Sequence, residues 1–262
     1  MTMGKILPKV IDVAAWTGNW PFLKLRYTEL PALKAKLQSL GVQQALVAPI
    51  EAILEQDPMR ANRDLLEATL GDAFFSPVLV VDLSYANWAE VVELAVQDGR
   101  VRILKLLPNY HMYDVSEAVL EPLVKLTQQH RLLISLQMRV EDKRGMYPLL
   151  DVDDLDIVRV VKVLSYFPEQ LFVISNPVIA ELAQVLNSVD NVHVELAGLE
   201  HVDIIEHLKE LYTLDRILFG SHAPFFIPES VLAKLKYTDA SQADVEQVAY
   251  GNAERLLEWC GK

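Results

Sequence analysis

The chain has 262 residues, of which 52% are hydrophobic and 23% are charged, which is enough apolar sequence for one large core. The formal net charge is −12, and such an acidic surface argues against nucleic acid or anionic lipid as a partner. No stretch approaches the roughly 18 uncharged apolar residues of a membrane span.

Eight short apolar segments alternate with longer amphipathic ones. Most of the short segments are rich in Val, Ile and Leu and lack two-residue alternation, which is typical of strands buried on both faces. The predicted strands are 9–13, 44–48, 77–81, 101–106, 132–136, 171–174, 192–196 and 216–219.

Helical periodicity fills the gaps between these strands. The predicted helices are 29–40, 60–70, 87–98, 116–130, 153–167, 178–188, 201–212 and 243–259. Eight strand–helix alternations predict an α/β fold, a (β/α)8 TIM-like barrel with a C-terminal helical extension, in a single domain over residues 1–262. The alternative is an open doubly wound sheet, which usually has a Gly-rich turn after its first strand, whereas only Gly18 is present.

The single cysteine, Cys260, cannot form an internal disulfide, and residues 1–13 lack the apolar core of a signal peptide. These features predict a cytoplasmic protein. A homodimer is compatible with the general symmetry of soluble oligomers, although the sequence identifies no interface.

Four segments together resemble a known family: IDVAAWTG at 11–18, RILKLLPNYH at 102–111, DRILFGSHAPFF at 215–226 and YGNAERLL at 250–257. The chain resembles the amidohydrolase superfamily, in particular the amidohydrolase-2 branch of metal-dependent hydrolases and decarboxylases. The resemblance covers nearly the whole chain in strand order. Its specific motifs are confined to the first, fourth and eighth strands and the last helix.

The resemblance also implies a metal site whose usual ligand positions are substituted here. The family opens with Asp-x-His-x-His-x-Gly, and Asp12 and Gly18 match, but Ala14 and Trp16 stand at the two histidine positions. Neither side chain can ligate a divalent metal.

Three further ligand positions differ as well. Gln137 lies near the histidine expected after the fifth strand, Ser175-Asn176 replaces the histidine after the sixth, and His222 replaces the aspartate after the eighth. The sequence therefore predicts a degenerate metal site and no cofactor. A rebuilt zinc site drawn from Asp12, His111, Glu195 and His222 is the alternative, but no His-x-His or His-x-x-x-His spacing supports it.

The predicted catalytic residues are His222, Glu195 and Asp12, all at strand ends. Histidine titrates near neutral pH, so His222 is predicted to act as general base where the family has an aspartate. The alternative is that His222 only fills the space of that aspartate and bonds to the backbone. Glu195 is an acid–base candidate and equally a salt-bridge partner.

The predicted substrate-binding residues are polar or aromatic and follow the barrel strands: Lys105, Asn109, His111, Arg139, Trp16 and Gln137. Lys105 ends an apolar strand, where its charge needs a substrate carboxylate or an internal ion pair with Asp12 or Glu195. Trp16 either walls a pocket or plugs the space of the absent metal.

Two functions are consistent with these residues. The first is an amidohydrolase-like hydrolase or decarboxylase for a small carboxylated organic substrate. The second is a non-catalytic relative that binds a small ligand or acts as a partner subunit. No Gly-rich phosphate loop is present, so a nucleotide cofactor is not indicated.

Overall fold

A computed structural model of the chain describes residues 5–7 and 9–260. Within that part nine strands form parallel pairs. They are β1 (Ile11–Thr17), β2 (Gln44–Pro49), β3 (Phe75–Pro77), β4 (Leu79–Val80), β5 (Ile103–Leu106), β6 (Leu133–Gln137), β7 (Phe172–Ser175), β8 (Val192–Glu195) and β9 (Ile217–Leu218).

The strands are ordered β1-β2-β3 and β4-β5-β6-β7-β8-β9, and two sets of backbone hydrogen bonds join these runs into a barrel. β3 and β4 are halves of one barrel strand, because Val78 between them donates its N–H to the Val47 carbonyl at 2.8 Å. The last strand meets the first where Val13 N donates to the Phe219 carbonyl at 3.0 Å. The predicted (β/α)8 TIM-like barrel is confirmed, and the doubly wound alternative is wrong.

Helices surround the barrel and cover the outward side chains of the strands, such as Leu104, Ile134 and Ile174. They are α1 (Leu30–Ser39), α2 (Met59–Ala68), α3 (Ala89–Asp98), α4 (Glu117–His130), α5 (Ile157–Leu164), α6 (Leu182–Leu186), α7 (Ile204–Leu211), α8 (Pro228–Lys236), α9 (Gln242–Glu246) and α10 (Asn252–Trp259). A π-helical turn, Gln247–Gly251, joins α9 to α10.

The structure corrects the predicted first strand. β1 extends to Thr17 because Ala15, Trp16 and Thr17 resume the pairing with β2 after an irregularity between Asp12 and Ala15. Trp16 therefore lies within a barrel strand and not in the loop that follows it. Gly18 ends the strand at φ +116°, and the Glu51 carboxylate occupies the space that a Cβ at Gly18 would need.

Three helical segments also differ from prediction. Helix α8 was not predicted, and it begins with Pro228 at its first position, where the missing N–H has no cost. The segment predicted at 178–188 contains a 3-10 turn before the short α6. The segment predicted at 153–167 becomes helical only at Ile157, because the Asp156 carboxylate accepts the backbone N–H of Val158 at 3.0 Å and caps the helix there.

Residues 5–7 and 9–260 include no helix that is long and apolar enough to cross a membrane. The single-domain prediction for residues 1–262 stays a prediction, and residues 1–4, 8, 261 and 262 lie outside the described part.

Candidate functional site

The upper interior of the barrel is polar. Side chains alternate between outside and inside along each strand, so β5, β6, β7 and β8 each place one polar residue inside near the carboxyl end. These residues are Lys105, Gln137, Ser175 and Glu195, and each is at most 2% exposed. The carboxyl ends of barrel strands are where active sites of this fold lie.

Lys105 is the internal cation of this cluster. Its Nζ donates to Gln137 Oε1 at 2.9 Å and to Ser175 Oγ at 3.2 Å, and it lies 4.8 Å from the centre of the Trp16 ring. Burial lowers the pKa of Lys105 to about 8, and the negative charge of Glu195 opposes this shift. The predicted alternative of an ion pair with Asp12 or Glu195 is not found at salt-bridge distance among the described residues.

Glu195 is held by backbone donors. One carboxylate oxygen accepts the N–H of Ala197 at 2.5 Å, and the other accepts the N–H of Asn176. Burial raises the pKa of Glu195 to about 7, against the opposing effects of the two N–H groups and of Lys105. Lys105 and Glu195 therefore both titrate close to neutral pH.

Asp12, in β1, hydrogen-bonds to the loop that follows the last barrel strand. Its carboxylate accepts the Ser221 backbone N–H at 2.8 Å, the Ser221 hydroxyl at 2.5 Å and the Ala14 N–H at 3.1 Å. Burial raises the pKa of Asp12, and these hydrogen bonds oppose the rise. This set of partners holds the loop after β9 against β1.

Both ring nitrogens of His222 are engaged. Nδ1 accepts the indole N–H of Trp16 at 3.2 Å, so Nε2 carries the proton and donates to the Val140 carbonyl at 2.7 Å. Burial lowers the pKa of His222 to about 3, so the ring is neutral at physiological pH. This arrangement favours the alternative in which His222 bonds to the backbone; its role as general base stays a prediction.

An aromatic cover closes the barrel mouth. It consists, in order of contact, of Trp16, Phe225, Trp20, Phe22 and Tyr147, whose successive ring centres lie 5.3–6.0 Å apart. Trp16 and Trp20 are at most 2% exposed. The ring of Trp16 packs on Lys105 and is therefore the part of the cover that contacts the polar interior.

Arg139 lies at the rim of the mouth, already paired. It donates to the Asn176 carbonyl at 2.7 Å and forms ion pairs with Glu181 and Asp154. A cavity of about 320 Å³ opens beside it, and Asn176 and Gly198 form part of its wall. Because the Asn176 N–H also binds Glu195, this cavity lies one backbone layer above the Glu195 carboxylate.

Two predicted binding residues lie outside this cluster. His111 is buried, with Nε2 bonded to the Ala52 carbonyl at 3.1 Å and Nδ1 3.8 Å from Asp82. Asn109 donates to the backbone carbonyls of Asp153 at 3.0 Å and Met138 at 3.3 Å and so holds two loops together. The structure thus brings together Lys105, Gln137, Glu195, Trp16 and His222, with Asp12 beside them, but not Asn109 or His111.

Sequence reasoning missed the serines. Ser175 accepts from Lys105 and lies 2.9 Å from Ser135 Oγ, and Ser221 binds Asp12. Ser135 lies two residues before Gln137 in β6, and Ser175 pairs with Gln137 from the end of β7. The other residues of these two strands are apolar. That interruption was the available signal for an inward polar position.

The donor set of the interior does not fit a divalent metal. The described residues contain no group of three or more His, Cys, Asp or Glu side chains that could hold one. Glu195, Asp12 and His222 are each occupied by hydrogen-bond donors or acceptors, and the Lys105 amine lies among them. A tetrahedral or octahedral site requires free, converging lone pairs, which these groups do not offer.

The structure defines an α/β-barrel protein with a buried polar cluster at the carboxyl ends of its strands. The amidohydrolase family model matches residues 30–259, and the chain belongs to that family. No curated protein matches the chain.

Several solved structures share the fold. An uncharacterized TIM-barrel protein from Bordetella bronchiseptica is 19% identical, with a TM-score of 0.69, over 97% of this chain and 100% of that one. The 2,6-dihydroxybenzoate decarboxylase from Rhizobium is 14% identical, with a TM-score of 0.73, over 96% and 99%. A dihydroxybenzoic acid decarboxylase from Polaromonas with bound manganese is 14% identical, with a TM-score of 0.71, over 96% and 97%.

Proposed function

We propose that this protein is a metal-independent decarboxylase for a small organic acid. The observation that carries the proposal is the enclosed pair of Lys105 and Glu195 at the carboxyl ends of the strands, with pKa values of about 8 and about 7. Groups shifted toward neutral pH by burial are characteristic of acid–base sites. The names of the similar Rhizobium and Polaromonas proteins support this reaction class.

The arrangement supports decarboxylation over hydrolysis. Hydrolysis without a metal needs a base with a free lone pair to activate water. His222 gives its lone pair to Trp16, and Asp12 accepts three hydrogen bonds. Decarboxylation needs no water nucleophile: it needs positive charge to stabilise the electrons left by CO2 and an acid to protonate the carbon.

Lys105 and Glu195 meet these two needs. The amine of Lys105, which is 2% exposed, supplies the positive charge inside the barrel, where electrostatic stabilisation is strong. Glu195 supplies the proton, since a substantial share of it is the neutral acid at pH 7. The cavity on the far side of the Asn176 backbone is the proposed route by which the substrate approaches Glu195, and Arg139 in its wall is the proposed partner of the substrate carboxylate.

The test is CO2 release from a panel of carboxylic acids, including 2,6-dihydroxybenzoate and simple β-keto acids. We expect turnover that a chelator does not change and that falls by about 100-fold or more in Glu195→Gln and Lys105→Met. Lys234→Met is the matched control. Lys234 is on α8, outside the barrel, and also lies near Glu195, but its amine donates to the Leu196 and Ala197 carbonyls at 2.8 Å. Equal activity of Glu195→Gln and wild type contradicts the proposal.

A non-catalytic ligand-binding role is the second candidate. The observation in its favour is that the polar groups of the interior already satisfy one another beneath the aromatic cover. Calorimetric binding of an acid from the panel, without CO2 release by the wild type, supports this candidate instead.

A further inference from the structure

We propose that Lys105 reacts with a carbonyl group of the substrate and holds it as an imine, so that the substrate is a β-keto acid. This inference rests on the proposed decarboxylase function and names its substrate class. It assigns the positive charge of the reaction to a covalent iminium and not to a free ammonium.

The hydrogen bonds of Lys105 suit a neutral amine. An uncharged amine has two N–H donors and one lone pair, and Nζ has two acceptors, Gln137 Oε1 at 2.9 Å and Ser175 Oγ at 3.2 Å. Both donors are thereby used, and among the described residues no hydrogen-bond donor occupies the lone pair. The two contacts also fix the direction of the amine on the rigid strands β6 and β7.

The remaining side of Nζ faces Trp16, whose ring centre lies 4.8 Å away. A ring face attracts a cation, and more strongly where water is excluded. Once the iminium has formed, the Trp16 ring stabilises its charge in the way that it stabilises the protonated amine. Trp16 is itself held in place by its hydrogen bond to His222 at 3.2 Å.

Glu195 completes the first step. The amine adds to the carbonyl carbon to give a carbinolamine; the carboxylic acid of Glu195 then protonates its hydroxyl, which leaves as water. The products are a protonated imine on Lys105, one water molecule and the Glu195 carboxylate, so the atoms and the charges balance. The carboxylate left behind is the counter-ion of the new iminium.

The carbon–carbon bond to the substrate carboxylate breaks next. Its electron pair moves toward the iminium nitrogen, and CO2 and a neutral enamine result. The Glu195 carboxylate takes up a proton from solvent and transfers it to the carbon that carried the carboxylate, which restores the iminium. Water then hydrolyses the iminium to the ketone product and the free amine, and the proton released in this step returns to the Glu195 carboxylate, which is thereby the acid again.

The surroundings of Nζ also make Lys105 distinct from the other lysines. Among the groups that face it from the neighbouring strands, Glu195 is acidic, His222 is neutral and Gln137 and Ser175 are uncharged. With a pKa of about 8, Lys105 is roughly one quarter free amine at pH 7.5, against about one part in a thousand for an ordinary lysine.

The experiment is reductive trapping with acetoacetate and sodium cyanoborohydride at pH 7.5, followed by intact mass and peptide mapping, with CO2 release measured in parallel. We expect one isopropyl group on Lys105 of the wild type, formed about 100-fold faster than on other lysines. Lys105→Arg is expected to lose this fast adduct, and Lys234→Met to keep it.

Each outcome separates the two proposals. Fast labelling of Lys105 with CO2 release supports both. CO2 release without an adduct on Lys105 overturns the imine and leaves the decarboxylase proposal standing. An adduct on Lys105 that keeps its carboxylate supports the imine and contradicts decarboxylation. Labelling of Lys105 no faster than of the exposed Lys125 overturns the imine. Because trapping is read on the wild type, this result does not depend on any variant folding.

Discussion

Replacing Lys105 with methionine tests whether burial of the Lys105 amine lowers the free energy of unfolding. Burial lowers the pKa of Lys105 to about 8, from 10.5 in the unfolded chain. Since the folded pKa is the lower one, the unfolded chain binds more protons between pH 8 and pH 10.5. Lys105 therefore destabilises the fold at pH 7, and this loss is relieved as the pH rises through that window.

The difference between the two pKa values costs the wild type about 3 kcal/mol at pH 7, of which about 1 kcal/mol remains at pH 9.5. Methionine has similar length and no charge, so Lys105→Met removes the cost. It also leaves Gln137 Oε1 without its donor, which costs about 1 kcal/mol at either pH and cancels in a comparison between the two.

The assay is urea unfolding at pH 7 and pH 9.5, with both proteins in a Glu195→Gln background so that Glu195 does not titrate. We expect the effect of Lys105→Met on the free energy of unfolding to be at least about 2 kcal/mol more favourable at pH 7 than at pH 9.5, because loss of the Glu195 charge lowers the pKa of Lys105 further. Lys125→Met, at an exposed position on α4, controls for the loss of a charge. An effect of Lys105→Met that is the same at both pH values refutes the reasoning.

Three further predictions concern stability. Gly18→Ala is expected to lower the free energy of unfolding by about 2 kcal/mol, because a Cβ at this positive φ would lie 2.0 Å from Glu51 Oε2 and would displace that carboxylate from the Asn19 N–H. Gly41→Ala, also at positive φ but with open space, should cost about 1 kcal/mol, and equal effects would show that the Glu51 contact is unimportant. Asn252→Ala is expected to cost about 1–3 kcal/mol in chemical unfolding, because its amide donates to two buried carbonyls at 2.6 Å; a loss below about 0.5 kcal/mol would contradict this structural role. The pKa of Glu195 in the folded protein, about 7, lies above its ordinary 4.5, so its contribution of about 3 kcal/mol to stability is complete below pH 4.5 and is lost as the pH rises to 7. The wild type should therefore lose stability relative to Glu195→Gln in that pH window. Parallel pH profiles of the two proteins would be inconsistent with a buried acid.

The barrel could be predicted from sequence because its strands carry a local signal. Apolar runs such as Leu133–Gln137 must be buried on both faces wherever they lie, and their alternation with helices leaves few topologies. Local signals were insufficient where an element depends on its surroundings. Helix α8 combines Pro228 and several charged residues, and its apolar side is recognisable mainly from its contact with the barrel.

The position of the site could be predicted from the sequence, but the hydrogen bonding and protonation of its side chains could not. The strand-end rule placed Lys105, Glu195 and His222 at one face of the barrel. Whether a histidine lone pair is free depends on partners far away along the chain, here Trp16 and Val140. Residue type and spacing carry no information about such pairings, so the engaged tautomer of His222 was beyond sequence reasoning.

The contact between Asp12 and Ser221 has a consequence for how the molecule assembles. These residues are 209 positions apart, and their hydrogen bonds form only when the final barrel strand docks beside the first. Until then a growing barrel has an open seam through which water reaches Lys105 and Glu195, and both groups stay hydrated. Contacts between such distant segments form slowly, because the loop between them must close first. We therefore expect the burial of Lys105 and Glu195 to be a late event in folding. We also expect the amide protons between the first and last strands to exchange together, through separation of these two strands.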